Sequence, residues 1–455
     1  MSSFATMISN QRLFFHSNAT KSVDYRIKQL KTLQKTLQAN EEVINKALFA
    51  DFKKSDYETY TTELALVYGD IKEAIKKIRK WSKPKKVRTN LANFPAKSYI
   101  LPEPLGVSLI IGAWNYPIQL TLAPMVAAMA AGCTVVLKPS EVASNTSGVL
   151  AQIIAHAFDE NYIAVVEGDA SITTALLEER FDKIFFTGST HVGRIVYQAA
   201  AKNLTPVTLE LGGKSPAIVT PSCSIEMTAK RLVWAKFLNA GQTCIAPDYV
   251  VVHKTVEKQL LEAVKKEIQK AHYSIENKNF VQIISKKHVE RLLQLMAPST
   301  VYFGGEYNKE ERFIEPTLLV DVDFTDKVMQ EEIFGPILPF IAYTHLNEVI
   351  HTIKQLEKPL SCYVFTNDKQ EKEKILNELS FGGGAVNDAL MHISNSNLPF
   401  GGVGNSGMGA YHGKAGFDAF SHFKSIIDKP TWMELSIKYS PYSMKKLGLI
   451  KRLLG

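Results

Sequence analysis

Apolar positions recur at three- and four-residue spacings between residues 21 and 83, as in Ile27, Leu30, Leu33 and Leu37, and this spacing predicts helices. Residues 82–104 interrupt the pattern with Pro84, Pro95, Pro102 and Pro104; Ser98-Tyr99-Ile100-Leu101 inside them reads as one strand of a hairpin arm. From Gly106 the pattern becomes strand–helix alternation. Short apolar runs at 107–111, 134–137, 163–166, 184–186 and 207–211 alternate with helix-like stretches at 118–131, 144–158, 171–179 and 192–202. Such runs, without polar alternation, predict a parallel sheet covered on both faces. A second alternation follows from 222 to 387. Its strand-like runs lie at 248–253, 337–343, 361–366 and 384–387, and its helix-like runs at 256–271, 346–356 and 369–379. Residues 397–409 hold five glycines and read as too turn-prone for a regular element. There is no internal repeat.

Ligands of open parallel sheets bind beyond the carboxyl ends of the strands. Asn115, Lys138, Gly188 and Glu210 each follow a strand by a few positions, which makes that edge the first place to look for chemistry.

Composition narrows the picture. The chain has 455 residues, 45% hydrophobic and 22% charged, as a globular protein of two to four domains has. Its four cysteines, Cys133, Cys223, Cys244 and Cys362, show no close pairing, which argues against a disulfide framework or a zinc site and predicts a reducing, cytoplasmic setting. No charged-then-apolar leader opens the sequence, and no apolar run is long enough to span a bilayer. The net charge of +8 concentrates in 76–88 and in the tail after Asp428, where Lys429, Lys438, Lys445, Lys446, Lys451 and Arg452 face Glu434 alone. Neither run interleaves the aromatics and glycines of an RNA-binding sheet, so no nucleic acid is expected. The tail also carries Ile437, Tyr439, Tyr442, Met444, Leu447, Leu449, Ile450, Leu453 and Leu454. It reads either as an interfacial segment docking on an anionic membrane face or as a segment solvated or packed on a partner subunit.

Four stretches carry candidate chemistry. Cys244, in Gly241-Gln242-Thr243-Cys244, is a nucleophile or an inert buried thiol; Glu210, in Leu209-Glu210-Leu211-Gly212-Gly213-Lys214, is a base or a surface carboxylate. Gly112-Ala113-Trp114-Asn115-Tyr116-Pro117 ends the first strand, where Asn115 serves either as an oxyanion donor or as a helix N-cap before Pro117. Phe186-Thr187-Gly188-Ser189-Thr190-His191-Val192-Gly193 lies between a strand and a helix, as a phosphate-binding turn or simply a tight connection. Lys138 and Glu141, in Lys138-Pro139-Ser140-Glu141, either bond ribose hydroxyls or form a solvated turn.

Together with Glu331-Glu332-Ile333-Phe334-Gly335-Pro336 and Leu398-Pro399-Phe400-Gly401-Gly402, these motifs resemble the aldehyde dehydrogenase superfamily in order and spacing from about residue 20 to 425. Ala246-Pro247-Asp248-Tyr249 and Tyr411-His412-Gly413-Lys414 resemble its class 3 branch of fatty and aromatic aldehyde dehydrogenases. The resemblance implies an α/β fold of two doubly wound domains, a Rossmann-like cofactor domain and a catalytic domain, plus a small β bridging arm. The boundaries read as 1–81 with 106–210, 211–412, 82–105 with 413–430, and a basic tail from 431 to 455. It implies Cys244 as nucleophile, Glu210 as general base and Asn115 as oxyanion donor. It further implies NAD, or NADP, bound by Trp114, Lys138, Glu141, the turn Gly188, Ser189, Thr190, Val192 and Gly193, and by Glu332 and Phe334. A homodimer bridged by the arm and an aldehyde substrate, aliphatic of medium or long chain or aromatic, follow from the same likeness. No metal is expected. Alternatives are an acylating, coenzyme A-dependent dehydrogenase and a non-catalytic protein on the same scaffold. Two departures stand out: Ala113 replaces the usual Pro, and residues 273–287 look like a trimmed surface loop bordering none of these motifs.

Overall fold

The structure, a computed structural model, describes residues 3–454. Residues 1, 2 and 455, and the side chains of Ser3, Leu453 and Leu454, lie outside the described residues. The predicted N-terminal helices are present, Val23–Ala39 burying Leu30, Leu33 and Leu37 and Ala65–Trp81 burying Val67, Ile71, Ala74 and Ile78. A helix the sequence reading passed over, Ser3–His16, lies against strands of the first sheet.

The first alternation forms a six-stranded sheet. Its parallel strands run in space Val207–Glu210, Lys183–Thr187, Val107–Ile111, Thr134–Lys138, Ile163–Val165. Val107–Ile111, Thr134–Lys138 and Lys183–Thr187 are buried throughout, which is why they show no polar alternation. Val107–Ile111 is first in sequence, yet its neighbours are the second and fourth strands. The order therefore reverses between Val107–Ile111 and Lys183–Thr187, and a crevice opens at that reversal.

The second alternation forms a seven-stranded sheet in the order Thr300–Phe303, Thr317–Val320, Ile337–Tyr343, Tyr249–His253, Pro216–Val219, Ser361–Phe365, Gly383–Val386. All its pairings are parallel except the first. Three of these strands and the helix Ile225–Phe237 gave no separate signal in the sequence.

A third sheet pairs Lys85–Val87 with Lys97–Pro104, and Lys97–Pro104 with Ser421–Asp428 over eight antiparallel residue pairs. The helix Gly413–Ala419 before it packs on Gln119–Ala131 and Ala65–Trp81, with Phe417 and Phe420 buried.

The Gly-rich stretch corrects one expectation. Gly407–Met408 is a short strand, pairing antiparallel with Glu210 and Leu209 at the edge of the first sheet. A side chain at Gly407 would place its Cβ 2.5 Å from the Leu209 carbonyl, so only glycine lets the two backbones meet there.

Candidate active site

Cys244 sits at the end of a loop with an unusual backbone. After Ile225–Phe237 the chain passes through Asn239 (φ 53°), Ala240 (φ 51°) and Gly241 (φ 74°), three left-handed residues in succession. Such residues, when not glycine, cost roughly 1–2 kcal/mol each and persist only where surroundings fix them. Here the surroundings do. The Asn239 amide donates to the carbonyls of Asn115 (2.9 Å) and Gln242 (3.1 Å), and its N–H donates to Glu58 at 2.9 Å. At Gly241 a Cβ would lie 2.3 Å from the Gly335 carbonyl.

Gln242 is fully buried; its amide donates to Asn239 and Gln282 carbonyls, both at 3.1 Å, and accepts from the Ile284 N–H at 2.9 Å. This overturns the expectation that 273–287 is a surface loop away from every motif. Phe280, Val281, Ile283 and Ile284 are core residues, and the stretch brackets the nucleophile loop from behind. The sequence hides this because those four apolar residues form no regular element.

The turn after Val107–Ile111 brings Asn115 to the same place. Asn115 is buried, and its amide nitrogen donates to the Gln242 carbonyl at 3.0 Å, leaving a second N–H uncommitted. It is not an N-cap: the helix begins at Gln119, and its first N–H groups go to the Glu63 carboxylate.

Three acids and a thiol share this pocket's electrostatics. Glu210 is buried at the last position of Val207–Glu210, and neither carboxylate oxygen has a hydrogen-bond partner. Burial alone pushes its pKa well above the usual carboxylate range. Cys244 is half-buried; burial, then the carboxylates of Glu332 and Glu210, push its thiol up, while the backbone N–H groups of Cys244 and Ile245 pull it down. A resting thiol held down to a low pKa is thus not what the chain provides. Glu332 rises to about 8 through burial and the neighbouring Asp248.

The neighbouring crevice has the features of a dinucleotide cradle. Gly188 to Gly193 lie at the topological reversal, and Ser189 caps Thr190–Ala201 by accepting from the Val192 N–H. Gly193 packs where a Cβ would come 2.6 Å from Leu211, and Gly188 where one would meet the Phe186 ring at 2.5 Å. Thr190 donates to the Asn405 carbonyl at 2.9 Å. Lys138 is buried, with its ammonium 2.9 Å from the Pro139 carbonyl and 3.2 Å from the exposed Glu141. Opposite them, the Glu332 carboxylate lies over Gly212, where a Cβ would be 2.0 Å from it. Phe334, itself left-handed at φ 50°, sets its ring edge-on to Trp114 at 5.3 Å. A buried cation, glycine approaches and a helix N-terminus fit an anionic dinucleotide. Glu210 and Glu332 thus act on the Cys244 thiol, Asn115 bonds the loop that carries it, Trp114 and Phe334 meet ring to ring, and Lys138, Glu141 and the turn from Gly188 to Gly193 end or follow strands that flank Val107–Ile111.

Sequence reasoning missed the clamp behind Glu332. Lys214 donates to Asp248 at 2.6 Å and to the carbonyls of Val328 and Glu331, while Asp248 accepts from the Ile333 N–H at 3.1 Å. Both residues stand in quoted motifs, but nothing in a linear pattern says that they meet.

Residues 4–426 match the aldehyde dehydrogenase family. The chain is 47% identical over 440 residues to the 4,4'-diaponeurosporen-aldehyde dehydrogenase of Staphylococcus aureus, covering 96% of each. It is 44% identical to the dimeric NADP-preferring aldehyde dehydrogenase of Rattus norvegicus, over 94% of this chain and 95% of that one. The solved substrate-bound state of Staphylococcus aureus AldH superposes with a TM-score of 0.97 at 45% identity, covering 100% of both chains.

Proposed function

The chain belongs to the aldehyde dehydrogenase family and oxidises aldehydes with NAD(P); from that premise we propose that it does so through a thioester on Cys244, hydrolysed by water that Glu210 activates. The observation carrying this reading is Glu210, a buried carboxyl with both oxygens unpartnered beside a half-buried thiol. An unsatisfied buried acid is costly, and an enzyme that passes its acyl group to coenzyme A has no use for one.

The residues divide the work. Cys244 Sγ, its proton lost to solvent, attacks the aldehyde carbon as the thiolate, and the oxyanion formed is held by the free N–H of the Asn115 amide and the Cys244 backbone N–H. One such donor is worth about 10²–10³ in rate. A nicotinamide held in the crevice would supply the oxidant for this adduct, taking its hydrogen as hydride, and Cys244 would then carry the acyl group as a thioester. Glu210 takes a proton from water, hydroxide adds to the acyl carbon, Sγ leaves, and the carboxylic acid departs. Trp114, Lys138, Glu141, the turn from Gly188 through Ser189, Thr190 and Val192 to Gly193, Glu332 and Phe334 hold the cofactor in this reading. The regions 1–81 with 106–210 bind it and 211–412 supply the nucleophile.

The substrate is an apolar aldehyde, aliphatic of medium or long chain or aromatic; the Staphylococcus aureus relative is named for 4,4'-diaponeurosporen-aldehyde. A panel across chain lengths and aromatic aldehydes, run with NAD and NADP and without coenzyme A, is expected to yield free acid in step with reduced cofactor. Acid formed only when coenzyme A is added would refute the hydrolytic route. The arm's outer strand, Ser421–Asp428, leaves Phe423 and Ile427 exposed, which supports a homodimer bridged there, as the name of the rat relative describes that protein.

We also propose a cytoplasmic enzyme that touches anionic membrane through its tail. No helix among the described residues is long and apolar enough to cross a membrane. The helix Met444–Leu454 instead exposes Met444, Leu447 and Leu449 among Lys445, Lys451 and Arg452, with Trp432 and Tyr442 exposed ahead of it. Near an anionic surface each cation is worth about 1 kcal/mol. The full chain is expected to sediment with phosphatidylglycerol vesicles and not with phosphatidylcholine ones, and Lys445→Glu with Lys446→Glu to weaken this about tenfold or more. Equal recovery in both supernatants would leave the tail to solvent or to a partner subunit.

A further inference from the structure

The segment joining the N-terminal helices to the site buries charge that the reaction as derived does not use. Helix Glu41–Phe52 ends in a left-handed Lys53, and Lys54 then turns inward with no exposure at all. Its ammonium meets Glu63, equally buried, at 2.8 Å. Glu63 stands in a π-helical turn, Tyr60–Leu64, a widened turn of the kind that often marks a functional position.

The pair reaches both halves of the reacting centre. The second oxygen of Glu63 accepts the N–H groups of Ile118 (2.8 Å) and Gln119 (3.2 Å), which close the turn carrying Asn115. The Lys54 ammonium lies 4.6 Å from the centre of the Tyr116 ring, and the Tyr116 hydroxyl meets the Thr243 hydroxyl at 2.7 Å, next to Cys244. Glu58, from the same segment, receives the Asn239 N–H of the nucleophile loop at 2.9 Å. Phe52 stacks on Trp114 with ring centres 6.4 Å apart.

A buried ion pair is weak as a source of stability, because apolar residues of like volume often do as well; what it can give is a fixed register between the parts it joins. Here the parts are two loops without regular structure, and neither ammonium nor carboxylate can shift without leaving a charge unpaired. We propose that Lys54 and Glu63 are a positioning pair for the reaction, setting the Asn115 turn against the Cys244 loop so that the amide faces the carbonyl under attack. This rests on the roles given above to Cys244 and Asn115.

The test removes both charges together, so that neither is buried alone. Lys54→Met/Glu63→Leu deprives the Ile118 and Gln119 N–H groups of their acceptor; Lys54→Met/Glu63→Gln keeps an oxygen for them. Thioester formation is read as the single-turnover burst of reduced cofactor with enzyme in excess over aldehyde, normalised to titrated Cys244 thiol, beside cofactor affinity and thermal stability. The leucine variant is expected to slow the burst about 100-fold, the scale of a misplacement near 1 Å, with cofactor affinity unchanged. The glutamine variant is expected to recover most of that loss. A folded leucine variant that bursts at the wild-type rate and differs only in melting temperature overturns the proposal. If that variant does not fold, the glutamine variant, which also lacks both charges, decides: its burst must still be slower than wild type, and equality overturns the pair. A wild-type burst with unslowed variants refutes the pair and spares Cys244. No burst in the wild type with any aldehyde refutes both, since no attacked carbonyl is then left to position.

Discussion

Replacing Cys244 by serine is expected to abolish aldehyde oxidation while cofactor binding persists. The fall should be about 10⁴-fold or more, the scale on which loss of a covalent nucleophile acts in other enzymes. Nothing else in the pocket can substitute. Cys133 and Cys362 are buried in the interior, and Cys223 lies in the turn before Ile225–Phe237, away from the reacting centre. Serine keeps the loop's geometry, since the bonds that fix it come from Asn239 and Gln242 rather than from the sulfur. Its hydroxyl, however, ionises far less readily than a thiol, and the two carboxylates that push the Cys244 thiol up would oppose an alkoxide more strongly. Steady-state formation of reduced cofactor, with cofactor binding followed by protein fluorescence, measures both halves. Turnover near the wild-type rate would end the covalent reading; loss of cofactor binding as well would mean that the substitution had disturbed the fold rather than the chemistry.

Replacing Glu210 by glutamine is expected to divide the cycle in two. The first turnover should survive as a burst of reduced cofactor, because thiol attack and oxidation lean on Cys244 and Asn115. Steady-state turnover should then fall about 10²–10⁴-fold, the usual worth of a positioned general base. The pH dependence follows with a definite sign. Burial raises the Glu210 pKa, so at any given pH less of the carboxyl is in its ionised, active form than for an exposed glutamate. Hydrolysis in the wild type should therefore climb as pH rises through a value above the ordinary carboxylate range, and the glutamine variant should lose that climb. Rapid mixing at several pH values separates burst from steady state. Disappearance of the burst itself would assign Glu210 an earlier role, and a steady state equal to wild type would show that some other group activates the water.

The thiol and its acid also show why linear motifs can be read before their physics is known. The sequence places Glu210 at a strand end and Cys244 in a glycine-flanked loop, and the resemblance then assigns roles to both. It does not show that Glu210 lacks any hydrogen-bond partner, nor that its charge works against the Cys244 thiol. Those facts depend on neighbours drawn from 407–408, 332 and 244, which a local pattern cannot bring together.

The core strands were legible because their burial is written in their composition: a parallel strand covered by helices is mostly apolar without alternation, and Val107–Ile111 and Ile337–Tyr343 appear with the predicted bounds. Amphipathic helices were legible for a similar reason. The stretch 280–284 was not, because a buried segment without periodicity leaves no signal to separate it from a loop. Nor was Gly407–Met408, where glycines that read as turn formers instead permit two backbones to touch. By itself, then, the sequence determined the fold class, the elements of both sheets that carry strong patterns, and the candidate residues of the crevice. Tertiary structure alone decided what holds those residues in place: the left-handed loop pinned by Gln242, the Lys214–Asp248 clamp and the buried Lys54–Glu63 pair. Propensity and periodicity act over a few residues, whereas hydrogen bonds and ion pairs form between whatever side chains the packed core brings within about 3 Å.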